Sequence, residues 1–135
     1  MRTLIAFCCL LLAAQAWATP APEGAEVYFI TPREGYVVSS PVVVRFGLVN
    51  MGVAPAGQAA PNTGHHHVLI NLEDLPPMNL PLPMNENVVH FGGGQTETKL
   101  ELPPGTHTLQ LLLGDHAHIP HEPPVMSPKI TITVE

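Results

Sequence analysis

Past residue 9 the chain has no cysteine, and past residue 17 no tryptophan. The first absence excludes disulfide staples and thiolate chemistry downstream of Cys9. The second excludes the Cys…Trp…Cys core of antibody-type domains. Basic residues are scarce, with Lys and Arg totalling 5 against 11 Asp and Glu, and they form no stripe, which excludes nucleic acid and anionic membrane surfaces as partners. The serines are Ser39, Ser40 and Ser127, and none stands in a GxSxG nucleophile elbow. Gly92-Gly93-Gly94 is not followed by GK[ST], so it is no phosphate-binding loop. Beyond Ala14 no apolar run is long enough to span a bilayer, and no membrane insertion of the mature chain is expected.

What is present begins with an export signal. Met1-Arg2 opens positively, Leu4 to Ala14 is unbroken apolar sequence, and Ala16-Trp17-Ala18 supplies small residues at −3 and −1. This pattern predicts a signal peptide over 1–18, cleaved after Ala18, that also removes Cys8 and Cys9. A flexible segment over 19–25 and one domain over 26–135 are expected to follow.

Sixteen prolines and eleven glycines among 135 residues argue against long helices. Short segments rich in Val, Ile, Leu and Thr read as strands instead: Glu26 to Thr31, Pro41 to Val49, His66 to Leu72, Asn87 to Phe91, Gln95 to Leu102, Thr106 to Leu113 and Lys129 to Val134. Val42, Val44, Phe46 and Leu48 alternate onto one face. The Pro76 to Pro83 stretch is a proline-rich crossing. The fold class expected is all-β, an immunoglobulin-like β-sandwich of about seven strands.

The eight histidines fall in knots: His65-His66-His67, His90, and His116-Ala117-His118-Ile119-Pro120-His121, with His107 apart. In such a sandwich the loops carrying the knots gather at one pole, so seven histidines are expected together. His107, beside the Pro103-Pro104-Gly105 corner, reads as a structural corner residue. Neutral imidazoles suit copper, zinc or nickel, and thioethers add a preference for Cu(I). His65 and His67 share a strand face and can chelate together while His66 points away. The candidate ligands are His65, His67, His90, His116, His118 and His121, with His66, Met51 and Met126 as weaker members. Asp115, Glu86 and Glu122 are expected to fix imidazole tautomers, and Met78 and Met84 to lie toward the other end. A site of ordinary imidazoles would release its metal at pH 5.

The strings SPVVVRFGLVNMGVAPAG (40–57), GHHHVLIN (64–71) and HFGGGQTETKLELPPGTHTLQLLLGDHAHIPHEPPVMSPKITITV (90–134) resemble a family of exported bacterial proteins catalogued as domain of unknown function 4399. The resemblance implies a periplasmic or secreted address and carries no activity with it. Three functions compete. One is non-catalytic binding or carriage of a metal, copper or else zinc, through the histidine pole. Another is a metal-free interaction module for a periplasmic protein partner or envelope polymer. The third is a metalloenzyme with an open coordination position.

Overall fold

The computed structural model describes residues 17–135. All of the signal segment but Trp17 and Ala18 lies outside the described residues. Among those described there is no helix, and hence none long and apolar enough to cross a membrane. Nine strands form instead: β1 (Glu26–Thr31), β2 (Val37–Val38), β3 (Val42–Val49), β4 (Gly52–Val53), β5 (Thr63–Ile70), β6 (Val88–His90), β7 (Glu97–Leu100), β8 (Gly105–Gly114) and β9 (Ile130–Val134). β1, β3 and β7 make one sheet in the order β1-β3-β7; the second runs β2-β9-β8-β5-β4, with β6 also paired to β5. The two sheets pack as a sandwich, and this order is compatible with immunoglobulin-like connectivity.

Alternation explains the main core. Val42, Val44 and Phe46 of β3 face Val68 and Ile70 of β5 and Leu109, Leu111 and Leu113 of β8 across the sheet interface. Ile130, Ile132 and Val134 of β9 complete this layer. Burying such side chains supplies the dominant favourable term in folding, roughly 25 cal/mol per Å² of apolar surface.

β5 departs from the usual one-sided burial, since every residue from Gly64 to Ile70 is buried. The cause lies on the outer face of the larger sheet. There Leu69, Leu112, Val88 and Leu82 form a second, smaller apolar cluster, joined by Leu72, Met78 and Met126. Leu82 belongs to the proline-rich crossing, which folds over the sheet and covers the strand that carries the histidines. β5 is therefore dry on both sides, an environment more typical of central parallel strands.

The segment over 19–25, expected as flexible, runs beside 120–122. The Glu122 N–H donates to the Thr19 carbonyl (3.0 Å) and the Ala21 N–H donates to the Glu122 carbonyl (3.1 Å).

Candidate metal centre

Register on β5 decides which histidines meet. β5 pairs antiparallel with β8, placing His65 opposite Gly114, His66 opposite Leu113 and His67 opposite Leu112. On its other edge β6 sets His90 opposite His67. Cross-strand partners share a face, so His65, His67 and His90 stand on the outer face beside Leu112. His66 points inward, where its ring packs 4.8 Å from that of Phe46.

The fourth ring arrives from the loop after β8. Asp115, only 2 % exposed, organises this turn. Its Oδ1 accepts from the N–H groups of Ala117 (2.8 Å) and Ile119 (3.0 Å), and its Oδ2 accepts from the Thr19 hydroxyl (2.7 Å). The backbone then passes through the left-handed region at His118, with φ 63°, a conformation uncommon for a side chain of this size and concentrated at functional sites. The His118 carbonyl accepts from the Leu82 N–H at 2.9 Å, which ties the turn to the crossing.

The result is a compact group of imidazoles. His65 Nε2 and His118 Nδ1 share a hydrogen bond of 2.9 Å, and His118 Nδ1 lies 3.5 Å from His67 Nε2. One nitrogen from each of the three residues lies within 4.8 Å of the others, a group that can hold a metal ion. Nitrogens bound tetrahedrally at 2.0–2.1 Å stand about 3.3 Å apart, so small movements convert this arrangement into a ligand set. His90 closes the group, its ring centroid 4.3 Å from that of His67 and 4.7 Å from that of His118. Its Nε2–H donates to the Pro83 carbonyl (2.9 Å), leaving a buried Nδ1 without a partner.

Space for these rings is made by glycine. A Cβ on Gly114 would lie 2.5 Å from the His67 ring. A Cβ on Gly64 would come within 2.7 Å of the Gly114 carbonyl and 2.9 Å of His121.

Burial also sets the protonation state. It lowers His65 to about 4, with the neighbouring His118 and His90 adding to the shift and Asp115 opposing it. Burial, then the neighbouring imidazoles, takes His67 to about 2, against a bond to the Leu112 backbone. His118 is lowered for the same first reason, then by His90, again against Asp115. Burial pushes Asp115 itself upward, but bonds from Thr19, Ile119 and Ala117, with His116 nearby, hold it below the usual value. His65 and His67 are therefore neutral at pH 5 as well as at pH 7, contrary to what ordinary imidazoles would do.

The other sequence candidates stand elsewhere. His116 is exposed. His121 is buried behind Gly64, its Nε2–H donating to the Thr63 carbonyl at 3.2 Å. Met51 packs against the main core, while Met126 joins the outer apolar cluster and bridges to Leu112. Glu86 and Glu122 are exposed, and Asp115 spends its oxygens on the turn. Seven histidines at one pole thus resolve into four, because alternation along β5 sends His66 inward and the turn geometry separates His116 and His121 from His118. Met78 and Met84 belong to the segment that covers the outer face, and Met84 directly follows Pro83, the partner of His90. Gly114 and Pro83 were missed by sequence reasoning. Pairing GHHH antiparallel against LLGD would have found Gly114; nothing in the proline-rich crossing marks Pro83.

His107 behaves as a corner residue. Asn71 Nδ2 donates to its Nδ1 (2.9 Å), and its Nε2–H donates to the Pro103 carbonyl (2.7 Å).

The family described as Domain of unknown function (DUF4399) matches residues 44–135, a stretch that carries all eight histidines. The chain belongs to this family. No curated protein and no solved structure matches it. The matched stretch includes β4 to β9 and excludes β1, so the imidazole group lies wholly within the family's domain, while the Thr19 strap on Asp115 does not.

Proposed function

We propose that this is an exported, periplasmic protein that binds a transition-metal ion of the copper type, without catalysis, and carries or buffers it. His65, His67 and His118 hold the ion, and His90 stands beside them as a fourth donor. The observation that carries this reading is the meeting of three imidazole nitrogens, two from buried residues of one strand and the third from His118, 51 to 53 residues further along the chain. Histidines that serve only to order backbone usually bond to carbonyls, as His107 and His121 do; His65, His67 and His118 bond to one another. The export signal and the lack of any thiol past Cys9 fit a compartment where imidazole must take the place of thiolate.

The test is titration of tag-free protein with Cu(I), Cu(II) and Zn(II) against competing chelators, for the wild type and for His65→Ala/His67→Ala. One equivalent held at nanomolar affinity or better, lost in the double variant with the sandwich still folded, supports the reading. Unchanged binding in the double variant would move the site elsewhere. Binding no tighter than micromolar would leave a metal-free interaction module.

A further inference from the structure

We infer that the site selects a soft monovalent cation, Cu(I), over the divalent ions Zn(II) and Cu(II). This deepens the metal-binding reading above and rests on it. Ligand type alone does not decide the matter, because three imidazoles with an open position also make a good zinc site. Net charge and surroundings do.

Every donor in the group, His65, His67, His118 and the adjacent His90, is an imidazole, which brings no negative charge to a metal. The carboxylate whose charge reaches His65 and His118 is Asp115, and it stands behind them. Its oxygens are occupied by two backbone N–H groups and a hydroxyl, so it supplies one negative charge to the field and no ligand. One positive charge on the ion is thereby matched; a second is not. The cost of moving an ion from water into a dry site rises with the square of its charge, so an unmatched divalent ion bears about four times the dehydration cost of a monovalent one.

The surroundings sharpen this. Leu112 is the cross-strand partner of His67, and it heads the apolar cluster of Leu69, Leu82 and Val88. Such a shell lowers the local dielectric and favours the lower oxidation state of a bound copper. Two methionines belong to the neighbouring segments. Met126 bridges to Leu112, and Met84, next to the Pro83 that holds His90, is 74 % exposed. An exposed thioether one residue along the chain from the anchor of His90 suits the first capture of Cu(I), since thioethers discriminate in its favour.

The test is anaerobic competition of the full mature protein for Cu(I) against bicinchoninate under ascorbate, with parallel Zn(II) and Cu(II) titrations at pH 7. The expected result is one Cu(I) held at least 100-fold more tightly than Zn(II), and a bound-copper potential above that of the aqueous ion. Zn(II) within tenfold of Cu(I), or a lower copper potential, overturns the selectivity while the metal site stands. No ion held below micromolar removes the site and the selectivity together. Two variants separate the causes. His90→Asp adds an anionic donor and is expected to tighten Zn(II) at least tenfold; an unchanged Cu(I) to Zn(II) ratio there contradicts the charge argument. Met84→Leu is expected to weaken Cu(I) several-fold and leave Zn(II) alone, and equal loss for both ions contradicts the part given to the thioether.

Discussion

His66 lies between two members of the imidazole group and does a different job. Alternation turns it into the main core, where it packs on Phe46 with both ring nitrogens buried and without partners. Burial lowers it to about 4, so it is a neutral, apolar-facing histidine at working pH. An unpartnered buried polar atom costs about 1–3 kcal/mol. His66→Leu is therefore expected to stabilise the fold by about 1–2 kcal/mol in urea titration and to leave metal affinity within twofold. Destabilisation, or loss of metal, would show that the ring does something that packing does not explain. At this scale the sequence was half legible. The i, i+2 relation of His65 and His67 follows from any extended backbone, and so does the opposite direction of His66. The selection of His118 over His116 and His121 does not, because it depends on a left-handed backbone at one residue and on Asp115 bonding to its own turn.

Among the elements, the pairing of β5 with β8 does most to build the site. Gly114 opposite His65 leaves the room into which the His67 ring fits. Gly114→Ala would press a methyl group against that ring. The expected outcome is a loss of about 1–3 kcal/mol in stability from overpacking, and a fall in metal affinity of roughly tenfold or more as the ring is displaced. Chelator competition on the variant checks this; wild-type affinity would place His67 outside the ligand set. The first strand was legible to the residue, Glu26–Thr31, because EVYFIT ends at a proline. The third, expected from His66, starts at Thr63. Three consecutive histidines look like the end of a loop when polarity is taken to mean solvent. They are strand here because the proline-rich crossing dries the outer face and Gly52–Val53 pairs with Thr63 and Gly64. That covering is a long-range event with no local signature.

For the whole molecule, the buried histidines reverse the pH behaviour that composition suggests. Eight ordinary histidines would carry the mature chain from a charge near −7 to about +1 on acidification. His65 and His66 are lowered from 6.5 to about 4, and His67 to about 2. The unfolded chain binds protons at these positions from about pH 6.5 downward and the folded chain does not, so stability falls as pH drops. The metal-free protein is expected to be fully stable above about pH 6.5 and to lose stability progressively from there to 4, His67 extending the loss toward about 2. Thermal melts across that window check the sign: a melting temperature that is flat or rises toward pH 4 contradicts the burial of these rings. Metal affinity is expected to fall less between pH 7 and pH 5 than at a site of ordinary imidazoles, since His65 and His67 carry no proton to displace there. Tenfold weakening per pH unit over that range would mark the ligands as ordinary surface imidazoles.

The central claim is that His65, His67 and His118 form one metal site, and ring-nitrogen NMR tests it most directly. Histidine-labelled mature protein would be titrated with Cu(I), and separately with Zn(II), both diamagnetic, to one equivalent. The account predicts large shifts at Nε2 of His65 and His67 and at Nδ1 of His118, saturating at one ion per chain, with His107 and His116 unmoved. Shifts confined to His116 and His121, or no histidine shift at one equivalent, would contradict it.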